Sequence, residues 1–166
     1  MSLKTELAKL DKKALIELIA DLYKKNKAVQ EYLNFYMKPD ESGLFEKYKT
    51  KIYEAFFPKR GFGYNLKQGK QAISDFKKLG VSELAVSDLM LFYVETGVKF
   101  TNDFGDINEA FYNSMESTYA SALKMMRTEN LLDQFKQRAL LILEDTADIG
   151  WGFHDTLFDT YYQFYD

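Results

Sequence analysis

His154 is the first residue to consider for chemistry, because it is the only histidine of the chain. A single imidazole excludes a two-histidine metal site, and the absence of cysteine excludes thiolate ligands and thiol nucleophiles. A histidine–acid dyad with Asp148 or Asp155 is conceivable. A lone histidine three residues after Trp151 is more typical of a packing contact, so the pattern favours a structural role for His154 and leaves Trp151 and His154 as candidate binding residues.

Glu95 is the second candidate, because it directly follows the most apolar run of the chain, residues 89–94. If it is buried, desolvation raises its pKa and makes it a candidate acid of an enzyme site with His154. If it faces solvent, Lys99 lies four residues later, at the spacing of a helical ion pair. The sequence alone leaves both alternatives open.

Carboxylates also cluster in the segment 103–109. Asp103, Asp106 and Glu109 supply oxygen atoms of the kind that hard cations prefer. Their spacing does not match an EF-hand loop, and Asp106 with Glu109 has the spacing of a helix-capping pair. We therefore expect no metal and no cofactor.

The segment 58–70, PKRGFGYNLKQGK, combines basic and aromatic residues. Its candidate binding residues are Lys59, Arg60, Phe62, Tyr64, Lys67 and Lys70. Cations interleaved with rings can bind single-stranded nucleic acid, but they also occur in helix connections whose rings fill the core. The chain has no recognised nucleic-acid motif and a net charge of −3, which favours the structural interpretation and argues against a nucleic-acid partner.

Apolar residues recur at helical spacing in nearly every segment. The pattern predicts helices at about 4–10, 12–25, 27–37, 41–57, 66–79, 82–100, 107–126, 131–147 and 151–165. Two prolines and nine glycines are too few for the turns of a sandwich or barrel. We expect an all-α fold, a single domain over residues 1–166, built as a helical bundle or an irregular array of antiparallel hairpins with about seven to nine helices. The apolar helix 82–100 should be central.

The C-terminal segment is too rich in large apolar side chains to be a solvated tail. Phe153, Leu157 and Tyr161 share one helical face, and Phe158 with Tyr162 begins the next row. We expect the first face to dock on the central helix. The outer row either closes the same core or binds a partner.

Three stretches carry a resemblance to a known family: LIELIADLYKKNKAVQEYLNFYMKPD, EKYKTKIYEAFFP and FYVETGVKFTNDFGDINEAFYNS. Together they resemble a family of small bacterial all-helical proteins, a domain of unknown function. The resemblance implies a helical fold over most of the chain and assigns no catalytic residue.

Charge divides the chain into two unlike halves. Residues 1–80 hold 17 Lys and Arg against 10 Asp and Glu, a net charge of +7, whereas residues 81–166 hold 5 against 15, a net charge of −10. Such asymmetry can steer a partner or align two copies head to tail. The cysteine-free composition and the lack of a secretion signal or of a membrane-length apolar stretch are typical of a cytoplasmic protein without a membrane partner.

These patterns favour a non-catalytic protein-interaction module that presents aromatic surface to a protein partner or to a second copy. The alternative is weak nucleic-acid or anion binding through the segment 58–70. A third hypothesis is an enzyme with an acidic site near Glu95 and His154.

Overall fold

A computed structural model describes residues 2–165 of the chain. Nine helices form the secondary structure of these residues and none of them lies in a strand, which confirms the all-α class. The helices are α1 (Leu3–Leu7), α2 (Lys12–Lys25), α3 (Lys27–Met37), α4 (Glu41–Phe56), α5 (Leu66–Lys78), α6 (Glu83–Phe104), α7 (Glu109–Thr128), α8 (Leu132–Glu144) and α9 (Phe153–Tyr165). The chain forms two compact units, Met1–Asp40 and Glu41–Asp166. The assignment of a single domain stays a prediction.

In the N-terminal unit α1 precedes a helical hairpin of α2 and α3, and the sequence predicts this hairpin. Asp11 caps α2 by accepting a hydrogen bond from Ala14 N at 2.7 Å, and Asn26 ends α2 and caps α3. Across the hairpin, Tyr23 Oη donates to Asn34 Oδ1 at 2.9 Å. No side chain is buried within the described part of this unit, residues 2–40, so the hairpin has apolar faces but no core of its own.

The C-terminal unit is organised around α6, which confirms the predicted central helix. Helices α4, α5, α7 and α8 all pack against α6, and its residues Leu89, Leu91 and Tyr93 are completely buried. Ser82 caps α6, and the helix continues to Phe104, four residues beyond the predicted end. Gly97 lets α7 approach closely, because a Cβ atom there would collide with the Met115 side chain.

Buried tyrosines join the helices of this unit. The hydroxyls of Tyr93 and Ser114 share a hydrogen bond of 2.8 Å between α6 and α7, and Tyr119 Oη donates to Ala139 O at 2.9 Å between α7 and α8. Burial raises the pKa of Tyr93 to about 12, although its hydrogen bond with Ser114 works in the opposite direction. Each hydroxyl therefore gains a partner where water is excluded, and the fold holds these phenols neutral.

Helix α9 docks as a helix, but mainly on α7 and α8, so the prediction that it would dock on the central helix is wrong. Phe153, Leu157 and Tyr161 form the buried face, with relative exposures of 0%, 0% and 3%. Phe153 packs on Tyr112 of α7 with 4.8 Å between ring centroids. The physical reason is that α7 and the other helices already cover α6, so their outer faces offer the remaining apolar surface.

Candidate functional site

The connection between α4 and α5 carries an exposed cluster of rings. Phe62 is 76% exposed and lies edge-on to Phe104, with 4.8 Å between centroids. Phe104 in turn contacts Phe100 at 4.9 Å, and Phe57 stacks on Tyr53 at 4.9 Å. Rings at these separations support one another. The structure therefore places Phe62 on an aromatic surface that continues into the core through Phe100.

Tyr64, by contrast, is a core contact. Its ring lies 5.5 Å from Phe100 and 5.0 Å from Phe111, between centroids. Its hydroxyl accepts a hydrogen bond from Asn108 Nδ2 at 3.1 Å. Asn65 N donates to Ala55 O at 2.7 Å, which anchors the end of the connection to α4. The interpretation of the segment 58–70 as a helix connection whose ring fills the core therefore fits Tyr64 and not Phe62.

The four cations of the segment do not converge on one anion site. Lys59 Nζ lies 2.6 Å from Glu54 Oε1, and this hydrogen bond raises the lysine pKa. Lys70 Nζ donates to Ser117 Oγ at 3.1 Å, and partial burial lowers its pKa. Arg60 is exposed in the connection, and Lys67 is exposed in the first turn of α5. The surface is basic, but it is not a phosphate cradle.

Glu95 belongs to an ion-pair cluster that local spacing did not reveal. Arg138, on α8, donates from Nε to Glu95 Oε1 at 2.5 Å and from Nη2 to Glu95 Oε2 at 2.9 Å. The same guanidinium donates from Nη1 to Asp88 Oδ1 at 2.5 Å. The two acids and the basic partner are each about one third exposed. A bidentate arginine pair of this kind fixes the position of α8 against α6.

Glu95 does not pair with Lys99, which was one of the two alternatives that the sequence left open. Lys99 Nζ lies 2.7 Å from Asp103 Oδ2, one turn further along α6. The 43-residue separation of Glu95 and Arg138 explains why a local pattern favoured the nearer lysine. Within residues 2–165 no hydrogen bond or ion pair joins Glu95 to His154, and each has its own partner.

His154 is held by Thr146. Thr146 Oγ1 lies 2.6 Å from Leu143 O, to which it donates, and 2.9 Å from His154 Nδ1. Because the hydroxyl has one proton, His154 Nδ1 must be the donor of the bond to Thr146 Oγ1. Trp151 has a positive φ of 63° and is 63% exposed, so it is presented to solvent at a backbone conformation that costs energy for a tryptophan.

Asp106 has a structural role that differs from the predicted cap. Asn108 caps α7, accepting from Phe111 N at 3.0 Å. Asp106 instead accepts from Tyr112 Oη at 2.7 Å and from Gly150 N at 3.3 Å. The described residues contain no cluster of three His, Cys, Asp or Glu side chains able to hold a metal ion.

The N-terminal hairpin carries a groove that the sequence patterns did not single out as a site. The groove encloses about 380 Å³ between α2 and α3, and its lining is almost entirely apolar: Ile16, Ile19, Ala20, Tyr23, Lys24, Leu33 and Met37. Ile16, Ile19 and Met37 are each about half exposed or more. The broad apolar arc on α2, from Leu15 to Tyr23, is the sequence signal that could have indicated an apolar contact face here.

None of the described helices combines the length and the apolar character needed to cross a bilayer. No curated protein and no solved structure matches the chain. A family model, described as a family of unknown function (DUF6155), matches residues 1–166. The match covers the whole sequence, and the chain therefore belongs to this family of unknown function.

Proposed function

We propose that this protein is a non-catalytic interaction module that associates with a second copy of itself through the N-terminal hairpin. The observation that carries the proposal is the uncovered apolar groove between α2 and α3. Two helices alone form one layer, and a stable helical fold needs a second layer to bury its apolar stripes. The bacterial origin and cytoplasmic location expected from the sequence are part of this proposal.

Each hairpin offers both halves of a self-complementary contact. Ile16, Ile19 and Tyr23 lie on the groove side of α2. Leu18 and Leu22 lie about a third of a turn away and are 39% and 44% exposed. We call this exposed pair, one turn apart on α2, the ridge. In a two-fold dimer, the ridge of each copy can enter the groove of the other, which closes the pair as a four-helix bundle.

Charge does not oppose such a pairing. Residues 2–40 hold eight lysines against six acids, so two hairpins repel each other only weakly. Several of these charges are already paired along the helix surface, such as Lys25 with Asp21 at 2.8 Å. The face formed by α2 and α3 is therefore better suited to an apolar surface with a small net charge, such as a second hairpin, than to a strongly charged surface.

The expected affinity is moderate. About ten half-exposed large side chains, five from each copy, would gain roughly 1 kcal/mol each on burial. Association costs roughly 4–15 kcal/mol in lost freedom of motion. At the low end of that cost the balance is about −6 kcal/mol, which corresponds to a dissociation constant of tens of micromolar.

Ile19→Asp should convert the dimer to a monomer, because it places a carboxylate in the groove. We expect at least a ~10-fold weaker association, about 1.4 kcal/mol or more. Sedimentation velocity of the full chain at about 1–100 μM, a range that includes a dissociation constant of tens of micromolar, measures the effect. The measurement is made in high salt, which screens weak contacts between surface charges.

Leu141→Asp is the matched control. Leu141 of α8 and Ile19 of α2 are both helical residues, and each is 48% exposed. It should leave the dimer intact. A wild-type chain that sediments as a monomer at the highest concentration would refute the proposal. So would equal association of the two variants, because the hairpin face would then be irrelevant.

A further inference from the structure

The outer face of α9 combines exposed rings with acidic side chains. His154, Phe158 and Tyr162 form a continuous row, with centroid separations of 6.5 Å and 4.6 Å. Phe158 and Tyr162 remain more than 40% exposed. Asp155 and Asp159 are exposed on the same helix. We call these five residues the acidic α9 face.

The helices beneath α9 add to its negative charge. Glu116 of α7 lies close to the Thr156 side chain, and Glu144 of α8 lies close to Tyr161. Arg127 contacts α9 near its C-terminal end, where the guanidinium carbon lies 4.6 Å from the Phe164 ring centroid. No Lys or Arg follows Arg138 in the sequence, so residues 139–166 have no basic side chain to neutralise their acids.

The connection between α4 and α5 has the opposite character. Lys59, Arg60 and Phe62 are all exposed, and the whole segment 58–70 contains four cations and no acid. The Lys59 side chain is 82% exposed even with its bond to Glu54. We call Lys59, Arg60 and Phe62, together with the adjoining ring of Phe104, the basic loop surface.

We infer that the basic loop surface of one copy docks on the acidic α9 face of a second copy. The two surfaces carry opposite charge and both present exposed rings, so the chain itself supplies the complementary partner of each. Arg60 and Lys59 can pair with Asp155 and Asp159 or lie over the rings of the row. Phe62 can pack edge-on against Phe158 or Tyr162.

This contact is of a different kind from the hairpin pairing. It joins two unlike surfaces. In a pair, one copy therefore keeps its α9 face free and the other keeps its basic loop surface free, unless further copies close a ring. It involves no residue of the N-terminal unit. The contact therefore forms or fails independently of the hairpin, and its dependence on salt separates it from an apolar interface.

Charge reversal tests the contact in a background that cannot pair through the hairpin, the Ile19→Asp chain. One variant carries Lys59→Glu with Arg60→Glu, and the other carries Asp155→Lys with Asp159→Lys. Each variant alone should associate at least ~10-fold more weakly than the background at low salt. An equimolar mixture should associate again, because one variant retains the α9 face and the other retains the loop surface.

Sedimentation velocity of each sample at low and at high salt gives the readout, and a thermal melt verifies that each variant is folded. Restored association in the mixture that disappears at high salt supports the inference. A monomeric Ile19→Asp background at low salt overturns it, as does a mixture no heavier than its components. At high salt, a wild-type dimer that is lost through Ile19→Asp supports the hairpin pairing and leaves the low-salt result open, so the two proposals fail separately.

Discussion

Deleting residues 151–166 is expected to unfold the C-terminal unit. The deletion removes Phe153, Leu157 and Tyr161, which are 3% exposed or less and cover apolar surface of α7 and α8. Truncating a buried Leu or Phe to Ala costs roughly 2–5 kcal/mol, so three such losses, roughly 6–15 kcal/mol together, are comparable to the roughly 5–15 kcal/mol stability of a typical domain. Far-ultraviolet circular dichroism should show loss of most helix signal at room temperature.

The outer row of α9 provides the control for this deletion. Phe158→Ala with Tyr162→Ala removes rings that are largely exposed, so the melting temperature should change little. If the deleted chain melts at the wild-type temperature, α9 is a passive tail and its buried face has been assigned wrongly.

Raising the pH above about 10 is expected to destabilise the same unit steeply. Burial raises the pKa of Tyr93 to about 12, and burial likewise raises the pKa of Tyr119. The pKa of Tyr165 also rises to about 12, first through burial and then through nearby Tyr161 and Asp133. In the unfolded chain each phenol ionises near pH 10.

The direction follows from proton linkage. Below pH 10 both states hold the phenol protons and the full stability is present. Between pH 10 and 12 the unfolded chain loses protons that the folded chain retains, so stability falls as pH rises. Tyr93 alone contributes a loss on the order of 3 kcal/mol over two pH units. We expect cooperative unfolding at about pH 11–12. Tyrosinate absorbance and circular dichroism, recorded together, measure this transition.

Tyr93→Phe separates this effect from general alkaline damage. At neutral pH the variant should lose about 1 kcal/mol, because Ser114 Oγ loses its 2.8 Å hydrogen bond. Between pH 10 and 12 its stability should fall less steeply than that of the wild type. An unchanged slope would show that Tyr93 does not resist ionisation in the fold.

Helices and their buried faces were predictable because they depend on short-range spacing. Asp11 and Ser82 cap α2 and α6 as expected, and Phe153, Leu157 and Tyr161 share the buried face that their four-residue spacing indicates. Such a prediction is less certain of the capping residue where two residues near a helix start could each cap the helix. Asn108 takes the role expected of Asp106, because the tertiary contact with Tyr112 and Gly150 already occupies that carboxylate.

The candidate sites were less predictable because they depend on residues far apart in sequence. Arg138 reaches Glu95 across 43 positions, whereas the sequence offered only the local Lys99. In the N-terminal hairpin the apolar stripes were visible, but periodicity does not tell whether another layer covers a stripe. The groove between α2 and α3 became apparent only when each side chain's exposure was known.

A distance between two hairpins tests self-association most directly. The chain has no cysteine, so Lys24→Cys at the edge of the groove accepts one nitroxide label per copy. Packed helices lie 8–10 Å apart, and in high salt we expect a dipolar distance within roughly 30 Å between labels, which Ile19→Asp abolishes. The absence of any intermolecular distance at a concentration well above micromolar, or a distance unchanged by Ile19→Asp, would contradict pairing through the hairpin.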